Sequence, residues 1–427
     1  MRSRGPTGRN PFLLLLEFDS VDTMRFKSAC LAILVLIVHQ LPIQAQTLSE
    51  AIQNGTPSLQ LRLSLERSDL ADNDTDAATA LNLRTRLGYR TGEFWESSVF
   101  LQFQDVSAAI DRYAPEDSDF DPIADPEGTS VHQAFVEYSG FADMKIRAGR
   151  QELVLEDGRL FSNADWRQHA QSFDAITLTG RSFADWAFTL GDIFRVRTVR
   201  NDLTELNHLL ILQGDYSGIE SHSLRLHGYL LDAPDDPAPN NSAPERDKAT
   251  YGARVEGDLA SWQWFLDYNL QTGYAGNSNA GGTMLNGFAA AKMAGLQAGG
   301  GYTEISGRSG DTRAFDTLFS TAHKFNGWSD QFGATNGGRL ERGLKEVYVL
   351  VKGKTGELSW IARVHRFDQE TKSQAYGSEI DFQAVIPLVH NVTGLLMVAS
   401  YAADGENDSG VADKDEQLFA VRLEYGF

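Results

Sequence analysis

The 427-residue chain carries one cysteine, Cys30, and nowhere a run of about 20 apolar residues. A lone thiol excludes an internal disulfide and a Cys-based zinc site. The missing apolar run excludes a membrane-spanning helix. Basic side chains are in deficit, 38 Lys+Arg against 58 Asp+Glu for a net charge of −20. That balance argues against nucleic acid as a partner, since a phosphate backbone needs a basic face. The chain also lacks a Gly-x-Ser-x-Gly elbow, a His-Glu-x-x-His helix and a phosphate loop. No enzymatic site and no cofactor or metal are expected.

What is present at the N-terminal end is an export address. Arg25 and Lys27 precede an apolar core, Cys30 to Val38, followed by Pro42 and Ile43-Gln44-Ala45. This reads as a signal peptide over 24–45 with cleavage after Ala45. Residues 1–23 read as a mis-called upstream start, leaving 46–427 as one domain. Cleavage would remove Cys30 and leave 33 Lys+Arg against 55 Asp+Glu, about −22.

The C-terminal end puts Phe419, Val421, Leu423, Tyr425 and Phe427 on one parity, and Ala420, Arg422, Glu424 and Gly426 on the other. Apolar side chains facing lipid and polar ones facing water, on a two-residue repeat, describe a strand of a transmembrane barrel. The same test along the chain marks 18 segments of about ten residues. The clearest are Leu59-Leu61-Leu63-Leu65, Leu81-Leu83-Thr85-Leu87-Tyr89, Trp262-Trp264-Leu266-Tyr268 and Leu358-Trp360-Ala362-Val364. Tight connections, such as Thr91-Gly92-Glu93 and Ser139-Gly140-Phe141, alternate with long ones at 68–79, 107–128, 153–171, 232–248, 306–340 and 402–414. Short periplasmic turns alternating with long extracellular loops predict an all-β, antiparallel up-and-down barrel of about 18 strands in a Gram-negative outer membrane. A soluble β-helix or sandwich would not alternate in this way.

Strand parity also directs the arginines, of which there are 28 against 10 lysines. Arg62, Arg84, Arg86, Arg90, Arg147, Arg195, Arg197, Arg225, Arg254, Arg363 and Arg422 mostly lie opposite the apolar positions. An arginine facing lipid at the midplane costs about 2–4 kcal/mol, so these are expected to line the lumen. A guanidinium fork grips a carboxylate through two bonds at once, which suits a conduit for acidic cargo. The competing reading pairs them with inward Glu66, Glu96, Glu137, Glu256 and Glu424. Acidic side chains concentrate in the loops, at Asp69, Asp72, Asp74 and Asp76, at Glu116 to Asp125, and at Asp404 to Glu416. The Asp72-x-Asp74-x-Asp76 run lacks the Gly and closing Glu of an EF-hand, so solvated loop charge is expected there.

Two denser stretches interrupt the alternation. One runs Gly149-Arg150-Gln151-Glu152-Leu153, Asp157-Gly158-Arg159, Asp165-Trp166-Arg167-Gln168 and Ser172-Phe173-Asp174-Ala175. The other runs from Phe315 through Ala322-His323-Lys324-Phe325-Asn326-Gly327-Trp328-Ser329-Asp330 to Phe332. In these two stretches, taken with the strand pattern, the chain resembles the alginate export family of outer-membrane barrels. The resemblance implies an 18-stranded monomeric barrel passing an acidic polysaccharide or its oligosaccharides. Arg150, Arg159, Arg167 and Asp165 would belong to its constriction, and His323, Lys324, Trp328 and Asp330 to a loop inserted in the pore. Outer-membrane lipid and lipopolysaccharide, the barrel assembly machinery and periplasmic export components are the implied partners. Trp166, Trp328 and Phe332 are expected to pack the loops rather than stack on sugars. An anion- or oligosaccharide-selective uptake porin, and a structural or adhesive barrel, are the alternatives.

Overall fold

A computed structural model describes residues 47–427 except 72, 182–183, 235–246, 277–278, 333–339, 373 and 406–410. The expected upstream segment and signal peptide, 1–45, lie outside the described residues, as does Asp72. After a short helix α1 (Leu48–Gln53), eighteen strands follow among the described residues. They are β1 (Thr56–Leu70), β2 (Ala78–Arg90), β3 (Ser97–Arg112), β4 (Gly128–Tyr138), β5 (Met144–Gln151) and β6 (Ser172–Arg181). Next come β7 (Trp186–Arg197), β8 (Leu203–Ile219), β9 (His222–Asp232), β10 (Lys248–Leu259), β11 (Trp262–Gly273) and β12 (Thr283–Met293). The last six are β13 (Leu296–Ile305), β14 (Leu344–Thr355), β15 (Leu358–Asp368), β16 (Ala375–Pro387), β17 (Val392–Ala403) and β18 (Glu416–Gly426).

Each strand pairs antiparallel with its sequence neighbours, and β18 pairs with β1, so the sheet closes. The closing register sets Leu61 opposite Tyr425, Leu63 opposite Leu423 and Leu65 opposite Val421. Closure follows from the solvent: hydrocarbon satisfies no peptide group, so a spanning sheet keeps no unpaired edge. The two faces separate as the periodicity requires. Leu63, Leu83, Leu87, Val99 and Leu266 are exposed on the outside, between 39% and 57%. Their alternates Arg62, Ser64, Arg84, Arg86 and Asp267 are buried within the barrel at 4% or less.

Connections at one end are tight. The turns at 220–221, 260–261, 294–295 and 356–357 hold two residues each, with positive φ at Ser221, Ala260, Ala294, Gly295 and Gly356. That backbone matches the strand twist of a two-residue hairpin. Helix α1 braces this end: the Gly92 N–H donates to the Ala51 carbonyl at 2.8 Å, and the Tyr89 hydroxyl donates to the Ile52 carbonyl. At the other end the strands overrun several of the expected loop boundaries. β1 stays paired to Leu70 and β3 continues to Arg112, which places Asp69 in a strand. Polar composition at a barrel rim marks the limit of the lipid, whereas the hydrogen-bond ladder continues into water. Glu96, expected to face inward, sits instead in the β2–β3 turn with φ 56.

An arginine introduced on the outer face tests the placement in lipid. Leu266→Arg, near the middle of β11, is expected to cost about 2–4 kcal/mol in urea unfolding from liposomes. A cost within experimental error of zero would place that face in water.

Candidate functional site

Two loops fold into the barrel and meet its wall. The first, residues 152–171 between β5 and β6, is held on one side by arginines of β1, β2 and β18. The Asp165 carboxylate accepts from Arg62 Nη2 at 2.7 Å and Arg84 Nη1 at 2.8 Å, with Arg86 Nη2 at 3.4 Å. Arg62 also donates to the Asp165 carbonyl at 2.6 Å, and Arg422 donates to the Trp166 carbonyl at 2.8 Å. Register brings these cations together: Arg62 faces Arg84 across β1–β2, and Arg422 faces Ser64 across β1–β18. Like charges in such proximity need a counter-ion, which Asp165 supplies. Burial opposes its ionisation, but Arg84, Arg62 and Arg86 overcome that and hold its carboxyl far below the ordinary carboxylate range.

The same loop bonds the wall through histidines. Glu152 meets His132 Nε2 at 2.6 Å, Glu156 meets His227 Nδ1 at 2.6 Å, and His169 Nδ1 lies 2.9 Å from Gln104. On the far side the attachment is apolar. Phe161 packs on Phe173, Tyr229 and Phe319 at centroid separations of 5.4 to 5.5 Å, within a cluster that includes Ile193, Leu209 and Leu231.

The second loop, residues 306–343, locks onto the first. Arg167 reaches Glu66 at 2.8 Å, Asp330 at 2.6 Å and Asp125 at 3.8 Å. Burial works against its charge, yet Glu66, Asp330 and Asp125 hold it above even the usual guanidinium range. His323 Nδ1 lies 3.0 Å from Asp330, and its ring stacks on Trp166 at 3.9 Å. Arg422 covers Trp166 at 4.1 Å. Lys324 Nζ donates to the Asp157 carbonyl at 2.5 Å, and Arg254 pairs with the Asp157 carboxylate at 2.8 Å. Arg159 is fully buried, donates to Asn326 at 3.0 Å and lies 4.6 Å from the Phe325 ring. The N–H groups of Trp328 and Ser329 donate to the Glu379 carboxylate, while Arg363 sits 5.0 Å over the Trp328 ring. Phe332 packs on Phe367 at 4.6 Å and Tyr376 at 5.1 Å. Between the loops lies a cavity of about 760 Å³ bordered by Glu66, Trp166, Arg167, His323, Asp330 and Glu416.

The structure brings Asp165, Arg84, Arg86 and Arg422 together, with Arg62, and joins Arg167, His323 and Asp330. Arg147 turns inward lower in the barrel, 2.6 Å from Glu137 and 4.3 Å over Phe135. Arg225 pairs with Asp215 on the same inner parity.

Arg150, Arg195 and Arg197 depart from the expected lumen lining. In the register Arg150 faces Asp174 and Ala148 faces Ile176, which is 52% exposed on the outside. The inner parity of these strands holds Gln151, Phe173, Ala175 and Thr177, all buried. Arg150 therefore lies on the outer parity near the rim, bonded to Asp174 at 2.7 Å, and Arg195 reaches Asp174 at 3.6 Å and Glu205 at 2.6 Å. A bulge between Ile193 and Arg195 inserts one residue into β7. It leaves Val196 inside and puts Arg195 and Arg197 opposite, a shift that a strict two-residue count misses. Glu379 escaped the sequence reading because its partners, Trp328 and Ser329, lie far along the chain, while Glu152 and Asp157 stand in the dense stretch without a partner that local spacing could name. Among the described residues no group of three or more His, Cys, Asp or Glu converges as a metal site.

A family model described as alginate export matches residues 59–380. No curated protein matches the chain. Among solved structures, Pseudomonas aeruginosa OpdO is similar with TM-score 0.65 at 13% identity, over 89% of this chain and 98% of that one. The same organism's OpdK crystallised with vanillate is similar with TM-score 0.64 at 14% identity, over 88% and 100%. Its OprE is similar with TM-score 0.63 at 15% identity, over 88% and 98%. At these identities the likeness is one of fold.

Removing the charge of Asp165 is expected to release the first loop. Asp165→Asn leaves buried guanidinium groups facing one another. The cost should be about 2–3 kcal/mol, below the 3–5 of a fully buried pair because Asp165 is partly exposed. Amide exchange over 152–171 should accelerate while strand amides stay protected; unchanged exchange would refute the clamp. The docking should also depend on pH through His169, which burial, aided by His132, Arg197 and Arg86, lowers to about 4. Between pH 6.5 and about 4 only a released loop would take up that proton, so protection should fall with pH across this window. After correction for intrinsic exchange, His169→Asn should flatten the dependence.

Proposed function

The chain belongs to the alginate export family of outer-membrane barrels, and on that footing we propose that it is a channel passing an acidic polysaccharide, or oligomers of it, across the outer membrane. The observation that most supports this reading is the clasp around Asp165, a carboxylate held in the lumen by three guanidinium groups. A uronate polymer offers one carboxylate per ring, so the same chemistry would let it exchange from one arginine or lysine to the next. Conduction requires contacts that are favourable yet weak enough to release. The paired state of Arg62, Arg84, Arg147, Arg225 and Arg254 meets that need, since each of these already shares its charge with a protein carboxylate. Arg254, Arg363 and Lys324, where the two loops meet the wall, would carry the cargo past the constriction.

Residues 24–45 would direct export with cleavage after Ala45, and the barrel assembly machinery would insert the sheet. Closure within one chain leaves no edge needing a second copy, which supports a monomer surrounded by lipopolysaccharide. Periplasmic export components would deliver the polymer. Uptake of smaller carboxylates is the second reading. It is favoured by the structural likeness to OpdK, whose crystal contained vanillate, and by the pinned state of both loops.

Planar-bilayer recordings of the purified barrel test the reading. Wild type should prefer anions and be blocked by uronate oligomers, and Lys324→Ala with Arg363→Ala should reduce both effects several-fold. Cation preference unaffected by these substitutions would eliminate the anionic conduit. Block confined to small carboxylates would select the uptake reading.

A further inference from the structure

The lumen wall opposite the arginine clasp carries a row of rings. Phe265 on β11 packs on Phe288 on β12 at 5.8 Å, and Phe288 lies 6.3 Å from Tyr348 on β14 with the planes only 14° apart. Tyr348 continues to His365 at 5.5 Å, and His365 to Phe367 at 5.5 Å and 11°. The register makes this a single line of inward positions, with Phe265 opposite Phe288, Phe288 opposite Gly301, Gly301 opposite Tyr348, and Tyr348 opposite His365. Gly301 is the gap in the line: a side chain there would collide with the Tyr348 ring, which lies across it.

A row perpendicular to the strands is not level in a barrel, because the strands tilt by about 35–45°. Here the climb can be counted from the tight-turn end. Phe265 stands three residues from the strand end at Trp262, Phe288 five from Met293, Tyr348 seven from Thr355, and Phe367 nine from Leu358. The row therefore rises from the periplasmic mouth to the second inserted loop. Its upper members, His365 and Phe367, are buried at 2% and 0%, and Phe367 lies against Phe332 of that loop. The lower three, Phe265, Phe288 and Tyr348, are only half-buried.

Charge accompanies the rings. Arg254 lies 3.9 Å over Phe265 at the foot of the row. A cavity of about 690 Å³ at the mouth is bordered by Lys292, Lys352 and Lys354, all exposed, together with Gln297, Ser359 and Gln383. Glu256 and Asp258 border a second cavity of about 540 Å³, which also reaches Phe265 and Phe288. Cations therefore dominate the side toward Tyr348, and acids the side toward β9. We propose that Phe265, Phe288 and Tyr348 form an ascending track on which the pyranose rings of an acidic glycan stack, entered through the lysine-bearing mouth.

This track rests on the reading of the protein as a conduit for acidic glycans and names the surface along which the rings move. An aromatic surface attracts the C–H face of a sugar without fixing its register, so a polymer can advance by one ring at modest cost. The lysines supply the complementary charge for the carboxylates that stacking leaves exposed. Neutral glycans would find the rings but not the charge.

Single-channel recordings of the full barrel, with a tetrauronide or maltotetraose as blocker, test the track. The readout is the residence time of blocking events, normalised to each variant's own open current. Phe288→Leu and Tyr348→Leu keep apolar bulk but lose the ring face, and each should shorten tetrauronide residence about three- to tenfold. Phe288→Trp, with a larger face, should lengthen it. Lys292→Gln with Lys352→Gln should slow association, most clearly at low salt, and maltotetraose should block wild type at least tenfold more weakly. Heat-modifiable electrophoretic mobility confirms that each variant is folded. Residence times unchanged in the Leu and Trp variants would overturn the track while leaving the acidic conduit standing. Absence of tetrauronide block in wild type would overturn both.

Discussion

A chain that crosses hydrocarbon has nowhere to leave a peptide group unpaired, and the rest of this molecule answers to that constraint. Pairing β18 to β1 removes the last free edge. Closure in turn makes two solvents, lipid outside and water inside, and every strand must alternate between them. The alternation explains why arginine, expensive against lipid, accumulates on inner positions such as Arg62, Arg84, Arg86 and Arg422, all at 4% exposure or less. A wall rich in guanidinium groups could not stand unneutralised, and the two inserted loops supply much of what neutralises it.

The loops are attached by different forces on different sides. Toward β1, β2 and β18 the contact is ionic and directional, with Asp165 and the Trp166 carbonyl at its centre. Toward β6 to β9 it is apolar, built from Phe161, Phe173, Phe319, Leu209 and Tyr229. Ionic contacts set position through geometry, while the apolar cluster supplies non-directional attraction from burial. The two loops are further joined by Arg167 and by the stack of Arg422, Trp166 and His323. Passage through the channel therefore proceeds between surfaces held in fixed relation to one another.

Much of this is legible in the sequence. The dyad pattern locates each of the eighteen strands, and the lengths of the connections identify the two ends. It also assigns the faces of Arg84, Arg86, Arg254 and Arg363. The dense stretches around Asp165 and Asp330 stand out because they break the alternation, and both belong to inserted loops. Where the reading failed, the cause is identifiable. Arg195 and Arg197 follow a bulge in β7, which changes the face a residue presents, whereas Arg150 shares the outer parity of Ala148 in an unshifted register and is placed in the lumen only by the family resemblance, not by the period.

By itself the sequence determined the strand number, the closure and most of the sorting of side chains between lipid and water, because a two-residue period is a local property that lipid enforces wherever the ladder runs without a bulge. Tertiary structure alone decided that Asp165 meets Arg62 and Arg84, that Arg167 meets Asp330, and that rings on four of five adjacent strands form one ascending row. The ionic contacts join residues far apart in the chain, 103 positions for Arg62 and Asp165 and 163 for Arg167 and Asp330. The contacts and the row depend on how far a loop folds back and on how strand tilt carries a register line around the wall, neither of which leaves a mark in local periodicity.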